Sequence, residues 1–173
     1  MIKLLSCTKT VIVFLIVMMV SLGAYMYMFT RPMSYGMEYY HKTVYEGERF
    51  ECTMIFRSDG TMVTRNTTFE EDIDSRYYYK DGYVFFTMAQ TDAEYEEEVA
   101  YINDHFEEAI QSTFYAAKAD TFRVVTEGPD GYTSVYTCTS AIVWAVVGGV
   151  VELALIVLTA ITLMLSRKAK GKR

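Results

Sequence analysis

Residues 49–67 read RFECTMIFRSDGTMVTRNT, and this stretch decides what kind of domain the chain carries. Phe50, Cys52, Met54 and Phe56 occupy every second position, so in a strand they point one way. Asp59-Gly60 follows, and an Asp-Gly pair supplies the positive φ angles of a tight hairpin turn. The stretch therefore predicts a hairpin, Arg49–Arg57, turn, Thr61–Thr67. Two more Asp-Gly pairs repeat the signal. Asp81-Gly82 joins Ser75–Lys80 to Tyr83–Met88, and Asp130-Gly131 joins Thr121–Glu127 to Tyr132–Cys138. Three such signals predict an antiparallel sheet.

Between the second and third hairpins the period changes. Tyr95, Val99, Ile102, Phe106, Ile110, Thr113 and Ala117 fall at steps of three and four. Glu94, Glu97, Glu98, Asp104, Glu107 and Glu108 take the other side. This predicts one amphipathic helix, Asp92 to Lys118, capped at Thr91 or Asp92. The order is ββββαββ, an α+β domain with the helix on the apolar face of an antiparallel sheet. A curled, partly barrel-like sheet is the alternative.

Outward from this block the composition changes. The chain has 173 residues, 51% of them hydrophobic, with net charge −6. Residues 31–140 hold 21 of the 22 acids and 9 of the 16 bases, leaving that stretch near −12 and the remainder near +6. Val11–Phe29 carries no charge, and Ala141–Leu165 carries only Glu152. At about 1.5 Å per residue the first nearly spans a hydrocarbon core of about 30 Å and the second exceeds it. The expected organisation is a cytoplasmic N-terminus (1–10), a first transmembrane helix (11–29), an extracytoplasmic α+β domain (30–140), a second transmembrane helix (141–165) and a basic cytoplasmic tail (166–173). Lys3 and Lys9 precede the first span. Arg167, Lys168, Lys170, Lys172 and Arg173 follow the second. The positive-inside rule then puts both termini in the cytoplasm of the cell (plasma) membrane, with the basic tail against anionic inner-leaflet lipid. The alternative for the first span is a cleaved signal peptide, with Leu22-Gly23-Ala24 as its processing site. Cys7 lies before the apolar run, not after it as in a lipidation box.

Ala141, Ala145, Gly148, Gly149 and Glu152 are three or four apart, and Ile156, Thr159 and Ala160 extend the same helix face. Small residues at this spacing let helices approach closely, and a polar group among them acts as interhelical glue. A carboxylate in mid-span must be neutral or paired. Two readings stand. The face packs on the first span, or it assembles with a membrane-protein partner or a second copy. A role for Glu152 in an accessory subunit of a transporter or channel is the narrower form of the second.

The chemical inventory is thin. There are two histidines, His41 and His105, and the sequence shows no phosphate loop, nucleophile elbow or zinc signature. No catalytic residue, metal site or cofactor is expected. Glu70, Glu71, Asp72 and Asp74 lack calcium-loop spacing and read as a solvated turn. Met18, Met19, Met26, Met28, Met33 and Met37 read as hydrophobes. The negative domain excludes nucleic acid as a partner. Asn66-Thr67-Thr68 is a glycosylation sequon in an external domain. Tyr77, Tyr78 and Tyr79 run consecutively, so both faces of that strand carry tyrosine, either as a binding surface or as cross-strand support. Cys52 and Cys138 fall on the first and last expected strands. They pair as a disulfide if those strands are neighbours, and otherwise sit unpaired in the sheet.

Phe56-Arg57-Ser58-Asp59-Gly60-Thr61, followed by Tyr77-Tyr78-Tyr79-Lys80-Asp81-Gly82-Tyr83-Val84, resembles the strand-turn pattern of small lipocalin-like extracytoplasmic modules in Gram-positive bacterial membrane proteins. The resemblance spans residues 44–88. It implies a bacterial cell-envelope setting and supplies no site. The sequence thus predicts a two-pass membrane protein presenting a small non-enzymatic binding or assembly module.

Overall fold

The computed structural model describes residues 8–45, 47–67, 71–111, 116–128 and 131–170. The chain forms two compact units, residues 31–142 and the two terminal segments flanking them. The first is α+β. Eight antiparallel strands close into a barrel in chain order, β1 (Glu38–Tyr45), β2 (Glu48–Phe56), β3 (Thr61–Asn66), β4 (Ile73–Lys80), β5 (Tyr83–Thr87), β6 (Ala116–Ala119), β7 (Arg123–Glu127) and β8 (Thr133–Thr137). The sheet therefore closes fully, beyond the curled, partly barrel-like sheet offered as the alternative, and closure removes both free edges.

All three Asp-Gly hairpins form, as β2–β3, β4–β5 and β7–β8. The second has φ +48° at Asp81 and +86° at Gly82, the two positive values a tight turn of this hand requires. Pro129 and Asp130 of the third lie outside the described residues.

Two strands were not expected. β1 precedes the first expected hairpin and pairs with β2 from Glu38↔Ile55 to Tyr45↔Glu48. Its turn uses Gly47 at φ +86° and contains no Asp-Gly pair. β6 replaces the end of the supposed long helix. The helical segment stops early, as α1 (Asp92–Asp104) and α2 (Phe106–Gln111) separated by His105. His105 leaves helical geometry at φ −125°, ψ 41°. Ala117 and Ala119 then point into the barrel and are buried, while Lys118 is exposed.

The core is the barrel interior. Tyr39, Phe56 and Tyr77 form a chain of edge-on rings, with centroids 5.5 Å and 5.0 Å apart. Residues 31–37 fold across this end. Ser34 N–H donates to the Tyr39 hydroxyl (2.7 Å), which donates to the Asp120 and Thr121 carbonyls (3.1 and 3.3 Å). Ser34 Oγ donates to Thr121 O (2.8 Å). Met33, Cys138 and Ala141 complete the plug. Toward the opposite end the inward positions Thr43, Phe50, Thr64, Asn66, Ser75, Thr126 and Ser134 are only half-buried, and Glu48 and Ile73 at the rim are exposed. The barrel is a cup, sealed where the chain enters and leaves and more open at the far rim.

The helical segment lies outside the cup, not against its core. On the outer face of β4–β5 the apolar rings Tyr83 and Phe85 of β5 stand beside the polar Arg76, Tyr78 and Lys80 of β4, and the helical segment meets both. Phe85 and Tyr83 pack edge-on against Phe106 (centroids 5.9 and 6.0 Å). The Tyr78 hydroxyl reaches Asn103 Oδ1 (3.1 Å), and Arg76 pairs with Asp92 (2.6 Å). Thr91 caps α1 in a reciprocal capping box with Glu94.

The second unit contains α3 (Thr8–Thr30) and most of α4 (Thr139–Lys170). Within these helices Lys9–Thr30 and Thr139–Lys168 are long and apolar enough to cross a membrane. Their large apolar side chains, among them Val13, Met19, Val20, Val146, Val150 and Leu153, face outward.

Candidate functional site

Three places carry the residues singled out by the sequence. The first is the pair of apolar helices. The half-buried or buried positions of α3 are Thr10, Val11, Phe14, Leu15, Met18, Ser21, Tyr25 and Met28. Those of α4 are Ala145, Gly148, Gly149, Glu152, Leu155, Thr159, Thr162, Leu165 and Ser166. Both faces repeat in steps of three and four that sum to seven, the seam of a coiled-coil-like pair. The Tyr25 ring lies over the two glycines. A Cβ at Gly148 would sit 2.7 Å from Tyr25 Cδ2, and one at Gly149 would sit 3.2 Å from its hydroxyl. Of the two readings left open, the geometry places the glycines against the chain's own first helix. Ala141 belongs instead to the core at the sealed end of the barrel. Ile156 and Ala160 are exposed, and Leu155, Thr162 and Ser166 take their places on the buried face.

Glu152 is 6% exposed, and its Oε2 has no hydrogen-bond partner. Hydroxyls on the same buried faces are committed within their own helices. Ser21 donates to Met18 O (3.2 Å) and Thr159 to Leu155 O (2.7 Å). Arg167 and Lys168 are exposed at the end of α4. The Lys170 side chain, Lys172 and Arg173 lie outside the described residues, as do Lys3, Cys7, Glu70 and Thr68 of the sequon.

The second place is a groove of about 470 Å³ between α1 and β5. Phe85, Phe86, Ile102 and Met88 form an apolar floor, and Glu94, Glu97 and Glu98 form an acidic rim. Tyr101, exposed on this surface, stacks on His105 (centroids 4.5 Å, 17°).

Neither a protein-family model, nor a curated protein, nor a solved structure matches this chain.

The third place is the cup interior, and it corrects the disulfide expectation. Both Cys52 and Cys138 are free. β1 lies between β2 and β8, so Cys52 and the end of β8 are two strand spacings apart, about 9–10 Å. A disulfide needs Cα atoms within about 7 Å. The unexpected strand is thus what separates the thiols. Cys52 faces His41, its register partner, and accepts a hydrogen bond from the Tyr136 hydroxyl. Burial pushes the Cys52 thiol up from its ordinary range and also raises the Tyr136 phenol. His41 and Tyr136 rings are 5.1 Å apart. Sequence reasoning noted His41 only as one of two histidines. Its neighbours become visible once β1 is paired on both sides.

Among the described residues no three His, Cys, Asp or Glu side chains converge for a metal. Asp72 pairs with Arg65 (2.8 Å) and Asp74 with Arg57 (3.6 Å), which suits a solvated turn. The consecutive tyrosines carry structure. Tyr77 donates to Arg57 O (2.6 Å), and Tyr95 donates to Tyr77 O (2.9 Å).

Proposed function

We propose that this is a two-pass membrane protein of the cell envelope whose barrel is an external, non-enzymatic binding module. The observation that carries the reading is the outward apolar surface on both long helices. Exposed Val, Ile, Leu and Met along two helices of 22 and 30 apolar-span residues are untenable in water and suited to lipid. Tyr25 seated on Gly148 supports a retained first helix over a cleaved signal peptide. Arg167 and Lys168 at the end of α4, with the basic residues after them, favour cytoplasmic termini.

The binding surface is the groove between α1 and β5. An apolar floor rimmed by three glutamates suits a partner-protein segment that presents a basic side chain beside an apolar one. Two experiments test this. Cysteines introduced at Lys170 and at Asp104 are labelled in intact cells with a membrane-impermeant reagent. Labelling at 104 alone is expected, and labelling at 170 would reverse the orientation. A photo-cross-linker placed at Tyr101 should capture a membrane or envelope protein, and the charge reversals Glu97→Lys and Glu98→Lys should remove that product. Capture unaffected by the reversals would count against the groove.

A second reading, an accessory subunit of a transporter or channel, is favoured by the unpartnered Glu152 oxygen. Under it, Glu152→Gln abolishes co-purification of another membrane protein. Under the first reading the anchor is indifferent to that change.

A further inference from the structure

The cup interior holds a group of side chains that membrane anchoring and the groove do not use. His41 on β1 and Cys52 on β2 are directly opposed and both point inward. Opposed positions bring Cβ atoms within about 4.5–5.5 Å of each other. Met54, the next inward position on β2, is buried.

The orientation of His41 is the decisive detail. Its Nδ1 lies 3.0 Å from the Val135 carbonyl. A carbonyl only accepts, so Nδ1 carries the proton and Nε2 of the neutral ring holds a lone pair. Nε2 is closed off from solvent and has no hydrogen-bond partner. A histidine that donates one nitrogen to a backbone carbonyl and presents the other unpaired has the arrangement of a metal ligand. Opposite it stands a thiol, with a thioether at the next inward position of the same strand. Among the described inward-facing strand positions the one carboxylate, Glu48, is exposed at the rim beyond Phe50 and is no register neighbour of His41 or Cys52, which disfavours calcium and magnesium. Thiolate, thioether and imidazole together select soft or borderline ions. The half-buried Thr43, Thr126 and Ser134 at the open rim give such an ion a polar path inward.

We propose that His41 Nε2, Cys52 Sγ and Met54 Sδ form a binding site for one thiophilic d10 cation, Cu(I) or Zn(II). Binding exchanges the Cys52 thiol proton for the metal and releases that proton to solvent. No electron moves. The Tyr136 hydroxyl, already donating to the sulfur, supports the thiolate from the side.

The test uses the reduced full-length chain in detergent, carrying Cys7→Ser so that the barrel thiols are read alone. It is titrated with Cu(I) and, separately, with Zn(II), each against a colorimetric competitor. One equivalent of at least one ion should bind. Cys52→Ser and His41→Gln should each weaken it tenfold or more, and Cys138→Ser should leave it unchanged. Met54→Leu should weaken Cu(I) more than Zn(II). In the otherwise unaltered chain, the bound ion should also shield Cys52, but not Cys138, from alkylation. This readout does not depend on whether a His41 variant folds. If neither ion binds, or if binding persists without Cys52, or if Cys52 alkylates at the same rate with and without metal, the site does not exist. None of these outcomes bears on membrane topology, so the two proposals fail separately.

Discussion

Tyr39 shows what one residue does in this fold. Its ring is fully buried against Phe56, and its hydroxyl accepts from Ser34 N–H while donating to two carbonyls of the 120–121 turn. One side chain thus ties β1 to the segment that seals the barrel. Burial, ahead of any charge effect, drives its phenol well above the ordinary range, so it keeps its proton and its donor role in the neutral range. Tyr39→Phe keeps the packing and strands the Ser34 amide. It should lower unfolding stability by about 1–3 kcal/mol in denaturant titrations of the detergent-solubilised chain. Two exposed carboxylates give the opposite kind of effect. The Thr61 hydroxyl and amide hold Asp59 below the usual carboxylate range, and the Gln90 and Thr91 amides do the same for Glu94. A depressed folded-state value stabilises the fold above the unfolded pKa, about 4, and that contribution is lost as pH falls through the folded value. Melting temperatures should therefore drop in mild acid. Asp59→Asn together with Glu94→Gln should flatten that drop, and an unchanged acid slope would show that other groups carry it.

At the scale of elements, what was legible had a local chemical signature. Asp81-Gly82 encodes its own turn, and Thr91 with Glu94 encodes a helix start. β1 and β6 have no such mark. The β1–β2 turn rests on Gly47 alone, and Ala116-Ala117-Lys118-Ala119 has the composition of a helix but is drawn into the sheet by β5 and β7. The Cys52–His41–Tyr136 group was illegible for the same reason, because its members meet only through β1. The α4 face was legible as far as Glu152 and again at Thr159, but not at Leu155, Thr162 or Ser166. Extending it by Ile156 and Ala160 assumes a straight helix, whereas Leu155, Thr159, Thr162 and Ser166 follow the seven-residue repeat of two helices that wrap on each other. The Tyr25–Gly148 contact tests that packing. Gly148→Val, forced against the ring, should destabilise the pair by about 1–3 kcal/mol. Tyr25→Ala opens the space, so the double variant should be less destabilised than the sum of the single ones. Strict additivity, measured by thermal unfolding in detergent, would mean the two side chains do not meet.

For the barrel domain as a whole, the closure has one thin seam. β1 shares eight register pairs with β2 but only Tyr40↔Thr137 with β8. Beyond that pair the two strands are joined by side chains, His41 Nδ1 to Val135 O (3.0 Å) and Thr43 Oγ1 to the Tyr132 hydroxyl (3.1 Å). Backbone amides facing such a seam open at a lower free energy than those inside a full ladder. Hydrogen exchange should therefore be fastest along the β8 edge that faces β1. It should be slowest in β4–β5, which is covered by the core on one side and by α1 and α2 on the other. His41→Phe removes a stitch while keeping a ring beside Tyr136, so it should speed exchange in β8 and leave β4–β5 unchanged. Uniform acceleration through all eight strands would mean that the barrel opens only by global unfolding and that the seam is as strong as the rest. The same seam borders Cys52 through its partner His41. A metal held by both residues would therefore slow β8 exchange selectively, so the weakest line of the barrel also reports on its interior.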